Sequence, residues 1–262
     1  MKNRRKEKYP FVKEMTDTER ISAVKEIFST VTPTYDFLNH FLSLRQDIGW
    51  RRVAARRMRF FETYRLLDLA AGTGDLTIEA ARKHPTLQVV GVDFVRKMLD
   101  AGRAKIEKES ISTRVRLLQG DALHLPFSDK SFDAASIAFG IRNIPDKIRA
   151  LREMARVVVS GGQVIVLEMA SPQRGFIRRI YHVYLRRILP RLAEAFSRNP
   201  AAYHYLADSI INFPSPKAFR NMMEEVGLAR VEIHPLTFGT TYLFLGYKSE
   251  STSRAETRSL SQ

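Results

Sequence analysis

The chain has no cysteine among its 262 residues, which excludes a disulfide framework, a thiolate metal site and a cysteine nucleophile. Long apolar runs are missing too. Stretches such as Ala134 to Ile141 fall far short of the roughly 20 residues of a membrane-spanning helix. The basic start MKNRRKEKYP has no apolar run behind it, so no secretory signal is expected and a cytoplasmic setting is. Acidic residues are scarce: 28 Asp and Glu stand against 43 Lys and Arg, a net charge of +15. Such an excess points to an anionic partner, whether nucleic acid, a lipid surface or small metabolites, and does not choose among them. One further absence is local. In Asp68-Leu-Ala-Ala-Gly-Thr-Gly-Asp75, Thr77 falls where the third glycine of a dinucleotide-binding Gly-x-Gly-x-x-Gly belongs.

The residues that are present suit one sizeable core with some decoration. The hydrophobic share is 44% and the charged share 27%, both ordinary for a globular chain. Residues 1–60 read as helical and basic, with Ile21, Val24, Ile27 and Phe28 at helix spacing and a second basic helix over Asp47–Met58. From Arg65 short apolar segments alternate with amphipathic ones. Strands are expected at Leu66–Ala70, Gln88–Val92, Val115–Leu118, Phe132–Phe139 and Gln163–Leu167, with helices at Leu76–Lys83, Val95–Lys108 and Asp146–Val157. That alternation argues for a parallel sheet covered on both faces. Ser215, Pro216 and Gly227 bracket a last helix, and Ala229–His234 and Thr241–Tyr247 read as an antiparallel hairpin on the sheet edge. The polar tail, residues 249–262, is expected to be disordered.

In an open α/β sheet, ligands sit beyond the carboxyl ends of the strands where the strand order reverses. The turn through Gly72, Thr73 and Gly74 lies there; it reads as a ligand cradle or as a tight turn alone. Asp68 beside it suits a cationic ligand better than a diphosphate. Asp93, at the second strand end, reads equally as an acceptor for two ribose hydroxyls or as a helix N-terminal charge. After the third strand, Asp121 and the Ala122 amide fall where an adenine would be read. Together these favour a positively charged ribose-plus-adenine ligand, S-adenosylmethionine.

LLDLAAGTGDLT, GVDFVRKML, GDALHLPFSDKSFD and ALREMARVVVSGGQVIVLE resemble successive motifs of the class I methyltransferases. YDFLNHFLSLRQDIGW (Tyr35 to Trp50), FGIRNIPDK (Phe139 to Lys147) and RVVVSGGQVIVLEMASP (Arg156 to Pro172) are similar to the quinone-ring C-methyltransferases of menaquinone and ubiquinone biosynthesis. The resemblance runs from about Ile27 to Lys248. It implies a doubly wound, Rossmann-like α/β sheet of seven strands, mostly parallel with an antiparallel C-terminal hairpin, preceded by N-terminal helices. It also implies methylation of a prenylated quinol, at a site that Tyr35, Arg142 and Asn143 complete. Tyr35, Asp36 and Asn39 would close over the substrate. Arg142 would lower the quinol pKa and Asn143 orient an oxygen, although Asn143 to Asp146 also reads as a helix cap.

The chain departs from the family pattern at Leu38, Asp47, Val159-Ser160 and Ala170. At Ala138 a serine that some members use is absent, so that contact is not carried over. Asp47 is where the substrate entrance would differ. His124 is a candidate proton acceptor or simply polar surface.

The expected organisation is a helical cover over 1–60 and a catalytic domain over 61–248 with a lid at 172–212. In the lid, Ile177, Ile180, Tyr181, Tyr184 and Ile188 would share one face of a basic helix that rests on the core or on an anionic bilayer. A transient, peripheral contact with the inner membrane face is expected, and self-association stays open. No metal is expected. The charge leaves RNA methylation as the rival, but neither the cysteine of the pyrimidine C5 enzymes nor an Asn/Asp-Pro-Pro-aromatic motif is present. No nucleic acid is therefore expected, while ribose or other small-molecule methylation stays open.

Overall fold

The computed structural model describes residues 9–196, 199 and 201–249. The basic start through residue 8 and the tail from 250 lie outside them. Seven strands form one sheet: β1 (Arg65–Leu69), β2 (Gln88–Asp93), β3 (Val115–Gln119), β4 (Phe132–Ala138), β5 (Val158–Met169), β6 (Leu228–Leu236) and β7 (Thr241–Lys248). Their order is β3-β2-β1-β4-β5-β7-β6. The first five run parallel, while β7 lies antiparallel between β5 and β6. The expected hairpin is therefore present at the edge, docked through its second strand. The order reverses between β1 and β4, where a crevice must open.

Buried parallel strands need apolar side chains on both faces, and β1 and β4 supply them from Leu66 to Leu69 and from Phe132 to Ile137. Helices α4 (Asp75–Lys83), α5 (Arg96–Lys108), α6 (Lys147–Val157) and α10 (Pro216–Glu225) cover the sheet. Asp146 caps α6 by accepting the Arg149 N–H at 2.8 Å, and Ser215 caps α10 from Ala218 at 3.2 Å. Strand β5 begins at Val158, earlier than the sequence suggests, because the register against β4 shifts between Phe132 and Ala134.

The N-terminal helices are α1 (Asp17–Val31), α2 (Tyr35–Leu42) and α3 (Gln46–Arg57). A Thr16–Glu19 capping box starts α1. The buried Asp133 carboxylate fixes the passage into β1 by accepting the N–H groups of Glu62, Thr63 and Tyr64 at 3.0, 3.0 and 2.7 Å. Gln163 does the same lower down, accepting from Arg59 N–H at 2.7 Å and donating to the Arg57 carbonyl at 3.2 Å. A separate apolar cluster joins α1 and α2 to the lid helices α7 (Gly175–Val183), α8 (Leu189–Phe196) and α9 (Ala201–Ile211).

Between α7 and α8 the chain makes a π turn at Tyr184–Ile188. The extra residue rotates the remainder of the helix by about 100°. The single apolar face read from the sequence is corrected: after the turn by this rotation, and before it because Ile180 already lies on the exposed side of α7. Tyr181, Tyr184, Leu185 and Leu189 turn inward, whereas Ile180 and Ile188 are exposed. Among the described residues no helix is long and apolar enough to cross a membrane.

Candidate functional site

The chain leaves β1 through a left-handed Ala70 (φ 48°), then Gly72 (φ 57°) and Gly74 (φ 82°). Gly72 N–H donates to Asp93 Oδ2 and Val95 N–H to Asp93 Oδ1, each at 2.8 Å. One carboxylate thus stitches the first strand end to the second. Each oxygen keeps room for another donor, the pattern that adjacent ribose hydroxyls require. Burial pushes this carboxyl up, and the amides of Val95, Gly72 and Phe94 oppose the shift.

A cavity of about 160 Å³ opens over this stitch, lined by Gly72, Asp93, Gly120, Asp121, Ala122, Ala138 and Asn143 with apolar side chains of α1. Asp121 Oδ1 is oriented by the Leu123 N–H at 2.9 Å. Three strand ends therefore present an acid or an amide to one space. A bulkier residue at 72 would meet Met98 at 3.4 Å and break the left-handed turn.

A second cavity, about 310 Å³, lies beneath the lid. Tyr181, Tyr184, Leu185, Leu189, Leu206 and Ile210 make it largely apolar, and Arg51 and Arg142 are its buried cations. Tyr35 and Phe139 line both cavities and form their common wall. Phe139 has left-handed backbone (φ 57°), which is uncommon for a bulky side chain and marks a constrained site. Trp50 packs on it at 6.0 Å between ring centres, and the Arg51 guanidinium lies 5.2 Å from its centroid.

Each cation has its counter-charge. The Arg142 side chain pairs with buried Glu168, whose other oxygen accepts the Arg142 N–H at 3.1 Å. The Arg142 Nε is buried with no hydrogen-bond partner among the described residues. Arg51 bonds Asp47 at 2.5 Å and lies 3.5 Å from Asp75. His40, Asp47 and Asp75 approach one another within 4.8 Å, as metal ligands would, but the Arg51 guanidinium already bridges the two carboxylates. Burial pushes the Asp47 carboxyl up, yet the Ser43 hydroxyl and Arg51 outweigh it and the net shift is downward.

Thr73 and Gly74 do not line the first cavity. Thr73 donates to Asp36 at 2.6 Å, and Lys105 bonds the other Asp36 oxygen at 2.9 Å, so the loop clamps α2. Gly74 is the left-handed cap of α4. Asn143 faces the first cavity and accepts from the Tyr205 hydroxyl at 3.4 Å. The capping reading of Asn143 to Asp146 is met at its last residue, since Asp146 caps α6. Burial pushes the Tyr35 phenol up, against the pull of Arg51 and Arg142, which leaves it a protonated donor. Asp47 lines the second cavity.

One expectation needs correction and one pair of readings is decided. Asp68 turns away from the ligand space, accepting from Thr77 at 2.6 Å and Ser136 at 2.8 Å inside the fold. His124 is polar surface, the second of its two readings, pointing to solvent beside Asp121 outside both cavities. Phe139 and Arg51 carry no role expected from the sequence. The i,i+4 spacing of Asp47 and Arg51 is a signal for a held guanidinium; nothing in the sequence shows Phe139 as a wall.

The sequence pattern of the ubiE/COQ5 methyltransferase family matches residues 13–248. The chain is 40% identical to the ubiquinone/menaquinone biosynthesis C-methyltransferase UbiE of Geobacter sp. strain M21, over 88% of its own length and 98% of the relative's. It is 42% identical to a demethylmenaquinone methyltransferase of Deinococcus radiodurans, over 86% and 92%. Solved structures share the fold at lower identity. A SAM-dependent methyltransferase of Thermotoga maritima, described as a possible histamine N-methyltransferase, superposes with TM-score 0.59 at 19% identity over 85% of this chain and all of that one. Phosphoethanolamine N-methyltransferase 2 of Haemonchus contortus, solved with S-adenosyl-L-methionine, gives 0.59 at 16% over 77% and 53%.

The Asp68 carboxyl behind the loop has a testable signature. Burial raises its pKa from 3.8 to about 6, against hydrogen bonds from Thr77 and Ser136. The native state therefore holds this proton more tightly than the unfolded chain does. The stability this contributes is full below pH about 4 and is lost as pH rises through about 6. Asp68→Asn is expected to flatten that slope in urea midpoints measured across the window.

Proposed function

The chain belongs to the ubiE/COQ5 methyltransferase family, and from that premise we propose that it methylates a ring carbon of a prenylated quinol, demethylmenaquinol above all. The observation that carries this reading is the second cavity: apolar under the lid, cationic at Arg51 and Arg142, and walled from the first by two aromatic rings. An aromatic ring with an ionisable oxygen and an isoprenoid tail matches that lining group for group.

The cofactor is S-adenosylmethionine, which when bound supplies a methyl already activated by its positive sulfur. Gly72 permits close backbone approach to it, Asp93 accepts the ribose hydroxyls, and Asp121 with the Ala122 amide reads the adenine. Thr73 and Gly74 hold the loop in shape from behind. Tyr35 and Phe139 keep water from the common wall and face the ring toward the donor. A ring carbon becomes nucleophilic when a neighbouring hydroxyl loses its proton. Arg142, with its unpaired Nε, favours that ionisation by charge, and Asn143 orients an oxygen. The transferred methyl replaces the ring hydrogen, which leaves as a proton.

Residues 1–60 act as cover, 61–248 as the catalytic domain and 172–212 as the lid. A substrate of this kind lives in a bilayer, so transient membrane contact from the cytoplasmic side belongs to the same proposal. Neither nucleic acid nor self-association takes part in it.

Asp93→Ala is expected to weaken cofactor binding by about 1.5–3 kcal/mol in calorimetry; unchanged affinity would remove the ribose assignment. Loss of Arg142 altogether would strand the buried Glu168, so Arg142→Lys is the cleaner change. It is expected to keep cofactor affinity and lower kcat by about 100-fold, whereas wild-type turnover would take Arg142 out of the chemistry. Purified protein with labelled cofactor, offered reduced demethylmenaquinol, a demethylated ubiquinol precursor and total RNA side by side, is expected to label the naphthoquinol. Label in RNA alone would overturn the reading.

A further inference from the structure

Three large apolar side chains stand almost fully in water: Phe238 is 80%, Leu44 79% and Phe176 77% exposed. They lie on segments that the fold ties together around the second cavity. The turn after α2, which carries Leu44, is joined to the β6–β7 turn by a 2.5 Å hydrogen bond from the Thr237 hydroxyl to Gln46. Trp50 anchors the same hydroxyl by donating its indole N–H at 2.9 Å. The same turn is tied to the end of β5, where the Ala170 N–H donates to the Thr240 carbonyl at 3.2 Å, and from there the chain runs through Pro172 into the first turn of α7 and Phe176. Leu44, Thr237 and Thr240 line the cavity itself.

The backbone at these turns is costly. Leu44, Arg45, Thr237 and Phe238 all take left-handed conformations, with φ of 52°, 61°, 40° and 56°, where glycine or asparagine would be favoured. A turn that only had to close would not spend that strain on holding leucine and phenylalanine out in water. The surroundings are cationic. Arg45, Arg174, Arg178 and Arg179 are exposed beside the patch, and no acidic residue occurs between Gly175 and Leu192.

We propose that Leu44, Phe238 and Phe176 form a docking rim that enters the interfacial layer of an anionic lipid bilayer. The mouth of the second cavity then opens onto lipid, and an amphiphilic substrate passes into it without crossing water. The proposal rests on the quinol reading for its purpose but not for its test. Charge complementarity selects the bilayer over a second copy of the chain, because arginines attract anionic headgroups and repel an identical patch.

A chain without cysteine accepts a unique label. Leu44→Cys, Phe238→Cys and, as control, Glu107→Cys on α5 are each to carry an environment-sensitive fluorophore. They are mixed with vesicles of phosphatidylglycerol and phosphatidylcholine, without cofactor or quinol. Emission at 44 and 238 is expected to shift to the blue and gain protection from acrylamide, with position 107 unchanged. No shift at 44 and 238 would overturn the proposal. So would a shift that grows with protein concentration in the absence of vesicles, which would assign the rim to self-association. Independently, Phe176→Ser/Phe238→Ser is expected to bind these vesicles about 100-fold more weakly, about tenfold for each ring. It should retain turnover on a soluble short-tailed quinol. Undiminished vesicle binding by this variant would overturn the rim and leave the quinol reading standing. Failure of the unaltered chain to methylate any quinol would sink that reading and leave the vesicle results untouched.

Discussion

The site depends on one backbone constraint at the end of β4. Phe139 stands in left-handed conformation, and the next residue must be glycine, because a Cβ at 140 would lie 2.4 Å from the Ala70 Cβ. The two strand ends that frame the switch point, β1 and β4, therefore touch through Ala70 and Gly140. That contact turns the Phe139 ring into the space between the cavities instead of along the strand. Methyl transfer needs donor and acceptor in line and in contact, so a wall only one ring thick, held from behind by Trp50 and Arg51, is what the chemistry demands of the fold.

The charges obey the same requirement. A cation within an apolar cavity is tolerable only when paired, because the cost of desolvating it is otherwise several kcal/mol. Arg142 draws Glu168 from β5, and Arg51 draws Asp47 and Asp75. Asp75 opens the helix that succeeds the cofactor loop, and Asp36 on α2 binds Thr73 in that loop. Helices α2 and α3 are thus tied electrostatically to the Gly72–Gly74 loop and the start of α4.

Much of this was legible in the sequence, for a definite reason. The strands and helices of the sheet bury whole faces, so their periodicity had to be written in the residues, and strand-end residues inherit their place from the topology. Asp93, Asp121 and Asn143 came to one space by that route. Asp68 did not: by register it faces the same side as Asp93, but it sits one pleat deeper in the sheet, where Thr77 and Ser136 hold it inside the fold. The lid was misphased in part because one π turn adds a residue that no apolar spacing reports, and in part because Ile180, before that turn, faces solvent. The proposed rim was invisible for a related cause: its side chains are far apart in the chain, and bonds such as Gln46–Thr237, Trp50–Thr237 and Ala170–Thr240 bring their segments together.

The position of the charge favours the proposed lipid-borne substrate over a nucleic acid. A net charge of +15 suits either. A nucleic-acid enzyme, however, needs its cations along an open groove and hydrogen-bonding groups where the base or ribose enters. Here the acceptor cavity is roofed by Tyr181, Tyr184, Leu185 and Leu189, and both of its cations are already spoken for by buried carboxylates. The exposed arginines lie outside, on the lid and beside the rim. Apolar within and cationic without is the distribution the proposed function requires, in which the substrate would keep its tail in a membrane while its ring reacts in a dry pocket.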